Sequence, residues 1–177
     1  MKMKKDSELV ALFSVPNIKV HVPTIWLLNN CMRDDFYNAH IIMKYITVEN
    51  YFNGDSRMWW DIYNDMQFKR VSQKPFIDKS MADHEEAFRK LIKNMKENGF
   101  DDNYPIMVNK YLRSVDGSHR LAVALYLKIP YVPIKCVKEV YDIDPEYSLK
   151  WFLENGFENQ EEAIVKTYKK INSEWNK

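Results

Sequence analysis

The polar run at positions 116–120, with the sequence Asp-Gly-Ser-His-Arg, constrains the fold of this chain more than any other segment. Two β-prone apolar runs precede it, Ile106 to Val108 and Tyr111 to Val115, and apolar residues at helical spacing follow it as far as Pro130. The pattern predicts two short strands and then a helix that begins within the polar run. We therefore expect an α/β protein with a small mixed β-sheet and packed helices.

The start of this predicted helix is suited to binding an anion. A helix N-terminus presents unpaired backbone N–H groups and the positive end of the helix dipole, and Gly117 allows a ligand to approach the backbone closely. An Asp-Gly turn followed by a helix cap explains part of the pattern equally well. That explanation leaves out His119 and Arg120, because the first turn of a helix usually favours acidic side chains over cations. Two cations here favour an anionic ligand such as a phosphate.

Three segments around the polar run resemble the core of the ParB/sulfiredoxin superfamily: Pro105 to Val108, Val115 to Ala124 and Ile129 to Ile134. The resemblance implies a ParB/sulfiredoxin-like α/β fold. Members of this superfamily hold nucleotide phosphates in the region that corresponds to Gly117 through Arg120, and they include CTP-hydrolysing partition proteins, ATP-using sulfiredoxins and a free-serine kinase. The shared implication is that this chain binds a nucleotide through its phosphates.

Differences within the motif separate the branches of the superfamily. Sulfiredoxins carry a reactive cysteine where this chain has Ser118, and partition proteins carry an arginine pair in place of His119 and Arg120. The Asp-Gly-x-His-Arg form is most similar to the free-serine-kinase-like branch. That similarity implies that Asp116 and His119 face and contact the reacting phosphate. The phosphate is then bound by Ser118, Arg120 and the Gly117 backbone.

The favoured function is transfer of a phosphoryl group from a nucleotide to a hydroxyl group of a small metabolite or sugar, which makes the protein a kinase. The implied donor is ATP or ADP, with CTP as an alternative, and Asp116 is expected to hold Mg²⁺ together with the phosphates. A second hypothesis is a non-catalytic nucleotide-binding module with a regulatory or DNA-associated role. A nuclease ranks last, because nucleases normally show several converging metal-binding carboxylates and only Asp116 is evident near the motif.

Glu49 is the candidate catalytic base of such a kinase. The run from His40 to Ile46 is β-prone, and Thr47 is positioned to cap a short helix that ends near Gly54. Glu49 then falls in the first turn of that helix, just after a core strand, where a carboxylate can accept a proton from a hydroxyl. The kinase branch is similar in having a glutamate after an early strand. A favourable interaction of Glu49 with the helix dipole explains the residue equally well.

Arg70 is the candidate for binding a second anionic group on the substrate. It shares one face of a predicted helix with Trp59, Tyr63 and Met66. Most of this face is expected to pack in the core. Arg70 lies at its end, where the guanidinium either projects into a cleft or remains an ordinary solvated surface group.

Composition limits the partners of the chain. It has 26 basic and 25 acidic residues and a formal net charge of +1, which argues against the broad basic surface of a nucleic-acid-binding protein. Cys31 and Cys136 lie far apart, so neither a zinc site nor a disulfide framework is indicated. The sequence has no apolar run of 18 residues, so we expect a cytoplasmic protein with no membrane partner. The expected partners are a nucleotide and a small-molecule substrate, and a homodimer is a further expectation.

The chain divides into three predicted parts: an N-terminal extension at 1–38, the α/β core at 39–140 and a C-terminal helical hairpin at 141–177. A start signal at Asp144 and a stop signal at Gly156 delimit the first helix of the hairpin, and a second helix follows. The hairpin is expected to pack on the core, where it covers the sheet, shapes a substrate pocket or contacts another subunit.

Overall fold

The computed structural model describes residues 17–72, 81–144 and 146–175. Its helices are α1 (Thr24–Cys31), α2 (Arg33–Phe36), α3 (His40–Phe52), α4 (Arg57–Ser72), α5 (Met81–Asn98), α6 (Ser118–Tyr126), α7 (Leu149–Glu154) and α8 (Glu161–Trp175). Its strands are β1 (Lys19–Pro23), β2 (Ile106–Val108), β3 (Ser114–Asp116) and β4 (Tyr131–Lys135). The predicted α/β class with a small mixed sheet is confirmed. No helix in these ranges combines the length and the apolar content that crossing a bilayer requires.

The four strands form one sheet in the order β1-β4-β2-β3. β4 runs antiparallel to β1 and parallel to β2, while β2 runs antiparallel to β3. The parallel pair requires a crossover connection, and α6 is the helix of that connection between β3 and β4. The strands bury Val22, Ile106, Val108, Val132 and Ile134 in the core.

The segment predicted as an N-terminal extension belongs to the core in its described part, 17–38. β1 pairs with β4 along its whole length, from Lys19 opposite Lys135 to Pro23 opposite Tyr131. The following helix, α1, is buried on one side and packs against α6. The predicted boundary at residue 38 therefore does not separate this part of the chain from the sheet.

α3 corrects the strand predicted from His40 to Ile46. All nine residues from His40 to Val48 are buried, so apolar side chains lie on every side of the helix and imitate the pattern of a buried strand. Packing against α4, α6 and α8 overrides the β-propensity of the run. Thr47 lies inside the helix, where its hydroxyl donates to the Met43 carbonyl at 2.9 Å. Glu49 consequently lies in the last turn of a long helix and not in the first turn of a short one.

The second strand before the motif is shorter than predicted, since it begins at Ser114 and not at Tyr111. The side-chain oxygen of Asn109 accepts hydrogen bonds from the backbone N–H groups of Tyr111 and Arg113, each at 3.0 Å. Leu112 has a positive φ of 60°. These local bonds hold residues 109–113 as a tight loop, in competition with the strand ladder.

Two helices follow the sheet in the C-terminal part, as predicted. The first, α7, begins after Ser148, whose hydroxyl accepts the backbone N–H of Trp151 at 3.3 Å, and not near Asp144. The second, α8, buries Ile164 and Ile171 and packs against α3. α8 therefore packs on α3 and also lies near the end of α6, where Glu174 pairs with Lys128.

Met43→Ala is expected to lower the free energy of unfolding by about 2–5 kcal/mol, because it leaves a cavity in the fully buried interior beside α3. The measurement is urea denaturation. Met58→Ala is the matched control, since Met58 lies in α4 and is 56% exposed. That control is expected to change stability by about 0.5 kcal/mol or less. Equal losses in the two variants would contradict the enclosed position of α3.

Candidate functional site

The backbone turns sharply at Gly117, between β3 and α6. Gly117 is the N-cap of α6 and has a left-handed φ of +87°. A Cβ atom at this position would lie 3.1 Å from both Arg120 Nη2 and Ile106 Cα. Glycine is therefore required for its conformation and for the close approach of the turn to β2.

Arg120 joins the start of α6 to the loop before β2. Its Nη1 donates to the backbone carbonyls of Tyr104 and Pro105, and its Nη2 donates to the Asp116 carboxylate at 2.9 Å. The Arg120 side chain is 18% exposed and that of Asp116 is 71% exposed, so the carboxylate forms the outer side of the pair. These bonds use three of the five N–H donors of a guanidinium.

Ser118, the first residue of α6, is hydrogen bonded to a lysine in the protein interior. Lys44 of α3 is fully buried, and its Nζ donates to Ser118 Oγ at 2.6 Å. The bond brings an amino group from α3 to the N-terminal end of α6.

His119 is held by aromatic side chains of α4 and α5. Its Nε2 is hydrogen bonded to Tyr63 Oη at 2.9 Å, and its ring makes an edge contact with Phe88 at a centroid distance of 4.6 Å. Burial lowers the pKa of His119 well below its ordinary value of 6.5, and the positive charges of Lys44 and Arg70 lower it further. The imidazole is therefore neutral at neutral pH. Burial also raises the pKa of Tyr63, so the phenol remains protonated.

The motif opens onto a cavity of about 250 Å³. Asp116, Gly117, His119 and Arg120 form one wall. Side chains of α4 and α5 form the rest: Tyr63, His84, Ala87, Phe88 and Leu91. The cavity is smaller than the roughly 300–1,000 Å³ of sites that enclose a drug-sized ligand. It has room for a phosphate group but not for a whole nucleotide.

Three predicted site residues lie outside this cavity lining: Ser118, Arg70 and Glu49. The Ser118 hydroxyl is bonded to Lys44 inside the protein. Arg70 lies close enough to His119 to lower its pKa, with its guanidinium 4.2 Å above the ring of Tyr147. Glu49 lies elsewhere: its carboxylate pairs with Lys170 of α8.

The distance of Glu49 from the motif follows from the neighbours of its carboxylate. Burial raises the pKa of Tyr126, the last residue of α6, and of Tyr45, and the nearby charge of Glu49 raises both further. Tyr126 is eight residues from Ser118, which corresponds to about 12 Å along the helix. The structure therefore brings Arg70 towards the motif and does not bring Glu49 there.

Lys44 and Phe88 are site residues that sequence reasoning missed, and Tyr63 was predicted only as part of a packing face. The available signal for Lys44 is its place four residues after His40, which puts both side chains on one face of a helix. That signal depends on reading the run from His40 as a helix. The pairing of Tyr63 with His119 joins residues 56 positions apart, and no local pattern reports such a contact.

A magnesium ion has one candidate protein ligand at this cavity. Asp116 is the carboxylate among the lining residues, and no group of three or more His, Cys, Asp or Glu side chains in the described ranges is arranged to hold a metal. Mg²⁺ that accompanies a nucleotide usually keeps several waters and takes one or two carboxylates together with phosphate oxygens. The exposed Asp116 fits that limited role, and it does not fit a metal site built from protein ligands alone.

Comparisons with known proteins assign the chain to no family. No family model matches it, and searches of the curated proteins and of the solved structures found no significant match. Membership of the ParB/sulfiredoxin superfamily therefore stays a prediction from the motif.

Gly117→Ala is expected to lower the free energy of unfolding by more than Gly99→Ala, as measured by urea denaturation. Both glycines have positive φ, +87° and +78°, so both variants carry backbone strain of about 1–3 kcal/mol. An added Cβ at Gly99 meets open space, whereas at Gly117 it lies 3.1 Å from the Ile106 backbone. Equal losses would show that the turn does not press against β2.

Acidification is expected to destabilise the wild-type protein more than His119→Gln. The pKa of His119 is below 6.5 in the folded chain, so the unfolded chain binds the proton first as the pH falls. The contribution of neutral His119 to the free energy of unfolding is complete above pH 6.5. It is lost as the pH falls from 6.5 through the folded-state pKa. Urea denaturation at about pH 7.5 and about pH 5.5 measures both proteins. Parallel losses would contradict an imidazole that is neutral in the folded chain.

Proposed function

We propose that the protein binds a nucleotide through its phosphates at the start of α6 and transfers a phosphoryl group from it to a hydroxyl group of a small metabolite or sugar. The observation that carries this proposal is the bond from the buried Lys44 amino group to Ser118, the first residue of a helix whose N-terminus has no side-chain cap. An amino group and bare backbone N–H donors at one place suit a phosphate.

The backbone at the start of α6 supplies hydrogen-bond donors. The first N–H groups of a helix have no partner within the helix, and Gly117 at the N-cap has no side chain to accept from them. Phosphate oxygens are suitable acceptors, and the helix dipole favours their negative charge. The small cavity accommodates phosphates and leaves the base and ribose at its mouth.

Cationic side chains complete the phosphate site in this proposal. Lys44 reaches the start of α6 through its bond to Ser118, and Arg120 lines the cavity. Because Arg120 has N–H donors beyond its three bonds to protein, it can bind a phosphate without releasing the loop before β2. Mg²⁺, held by Asp116 and the phosphates, would neutralise charge on the transferring group.

His119 is the base in this proposal. A neutral imidazole accepts a proton at neutral pH, and Nδ1 is the free acceptor when Nε2–H donates to Tyr63. The acceptor hydroxyl gives its proton to Nδ1 as its oxygen bonds to phosphorus. The bond from phosphorus to the nucleotide oxygen breaks, and the shortened nucleotide leaves with that electron pair.

A nucleotide-binding module without turnover is the second candidate function. The observation in its favour is the position of Glu49, whose carboxylate pairs with Lys170 and is turned away from the motif. Catalysis needs a base that converges on the phosphate site, whereas binding does not. The two candidates share the phosphate site and differ in the role of His119.

The first test is a thermal-shift titration with ATP, ADP, CTP and GTP in the presence of Mg²⁺. At about 100 times Kd, a bound nucleotide is expected to raise the Tm by about 5–10 °C, because it binds the folded chain alone. Lys44→Met, which removes the amino group at similar volume, is expected to lose that shift. Lys90→Gln is the control, because Lys90 is an exposed lysine of α5. The absence of any shift in the wild-type protein would contradict both candidates.

Turnover separates the two candidates. Nucleotide consumption is measured with a pool of small hydroxyl compounds, and His119→Gln is expected to keep the nucleotide-induced Tm shift while consumption falls by about 100-fold or more. Wild-type binding without consumption would favour the module. Loss of consumption in Glu49→Gln, with His119→Gln still active, would contradict the role given to His119.

A further inference from the structure

One side of the cavity at the motif is a single face of α5. His84, Ala87, Phe88 and Leu91 all line the cavity, and they follow one another at the i, i+3, i+4 and i+7 spacing of one helix face. His84 is the polar member of this face, and Ala87, Phe88 and Leu91 form an apolar stripe. Ala87 is exposed and Leu91 is half-buried, so both present apolar surface to a molecule that enters the cavity.

The apolar stripe lies beside His119, the base of the proposed transfer. The ring of Phe88 makes an edge contact with the ring of His119 at a centroid distance of 4.6 Å. The hydroxyl of the acceptor must come within hydrogen-bond distance of Nδ1 for the proton to move. The carbon atoms that carry this hydroxyl are therefore brought towards the apolar stripe.

The polar side chains on the other walls of the cavity are bonded to one another. Tyr63 Oη is bonded to His119 Nε2 at 2.9 Å, and the Asp116 carboxylate accepts from Arg120 Nη2 at 2.9 Å. In the proposed function Asp116 and Arg120 also serve the phosphates. A further hydroxyl of the acceptor that pointed at the apolar stripe would lose its bonds to water and gain none there. The cavity therefore favours carbon over additional hydroxyl groups next to the reacting one.

We infer that the acceptor is a small alcohol whose hydroxyl meets His119 and whose hydrocarbon part packs on the apolar stripe, and not a sugar or other polyol. The inference rests on the proposed phosphotransfer and narrows its acceptor class. One methylene buried against apolar surface strengthens binding by about fourfold, whereas a hydroxyl buried without a partner weakens it by about fivefold or more. The cavity volume of about 250 Å³ restricts the acceptor to a small molecule.

The test compares four alcohols that present the same primary hydroxyl group: ethanol, 1-propanol, 1-butanol and glycerol. Glycerol has the carbon skeleton of 1-propanol with two more hydroxyl groups. Each alcohol is titrated into the full chain, and its Kd is measured from NMR chemical shifts with and without a non-hydrolysable ATP analogue and Mg²⁺. The analogue is also titrated alone. Binding is measured here without turnover.

The variants change the polarity of the apolar stripe. Leu91→Gln replaces apolar surface by an amide, and Leu91→Met keeps the surface apolar at similar volume. Leu153→Gln is the matched control, because Leu153 is an exposed leucine of α7 that is not part of the cavity lining. The Tm of each unliganded variant checks that it folds. If Leu91→Gln does not fold, Ala87→Gln supplies the comparison, because Ala87 is exposed.

The affinity of the wild-type protein is expected to rise by about fourfold with each methylene from ethanol to 1-butanol. It is expected to be higher for 1-propanol than for glycerol by about tenfold or more. Leu91→Gln is expected to lower this preference for 1-propanol by about fivefold or more, since an amide in the stripe offers hydrogen bonds to glycerol. Leu91→Met and Leu153→Gln are expected to change it by about twofold or less.

Three outcomes would overturn the inference. No alcohol binds; or glycerol binds as tightly as 1-propanol; or Leu91→Gln folds and keeps the wild-type preference, which would place the hydrocarbon part elsewhere. Failure of the proposed function has a different signature, because the analogue alone would then not bind the wild-type protein. The titrations without the analogue would still show whether the apolar stripe binds hydrocarbon.

Discussion

The hydrogen bond from Lys44 to Ser118 joins the two helices around which the rest of the structure is arranged. Lys44 is fully buried on α3, and a buried amino group is costly unless polar groups surround it. The bond therefore fixes α3 relative to the first residue of α6. The close contact at Gly117 fixes the same end of α6 against β2. Through these two contacts the buried helix, the motif and the sheet form one connected unit.

Local sequence signals are sufficient to predict the motif and the helix that follows it. Gly117 marks the turn, and the structure has a left-handed N-cap there. The face of α4 from Trp59 to Arg70 follows equally well from helical spacing. α3 differs because it is enclosed on all sides from His40 to Val48, so apolar residues occupy every face there, and His40, Lys44 and Thr47 are buried among them. Periodicity distinguishes a helix from a strand only where one face is exposed to water.

The wrong prediction of a strand at α3 also explains the wrong position predicted for Glu49. Once the helix runs continuously from His40, Glu49 lies five residues after Lys44, which turns it by about 140° around the helix axis. It therefore faces α8, where it pairs with Lys170, while Lys44 faces α6. Helical spacing on α4 correctly predicts that Arg70 shares a face with Tyr63, and the structure has Arg70 in the neighbourhood of His119. The contacts between helices, such as that of Tyr63 with His119, depend on tertiary packing and leave no local signal.

The neutral state of His119 determines how the site responds to acidity. Burial and neighbouring cations keep its imidazole neutral near neutral pH, so the positive charge around it comes from other side chains such as Lys44, Arg70 and His84. An anion at the cavity therefore meets positive charge from these side chains and not from His119. A phosphomonoester, whose second ionisation has a pKa of about 6, would bind more strongly as it loses its own second proton. A rise of affinity through this range would then come from the ionisation of the ligand and not from His119.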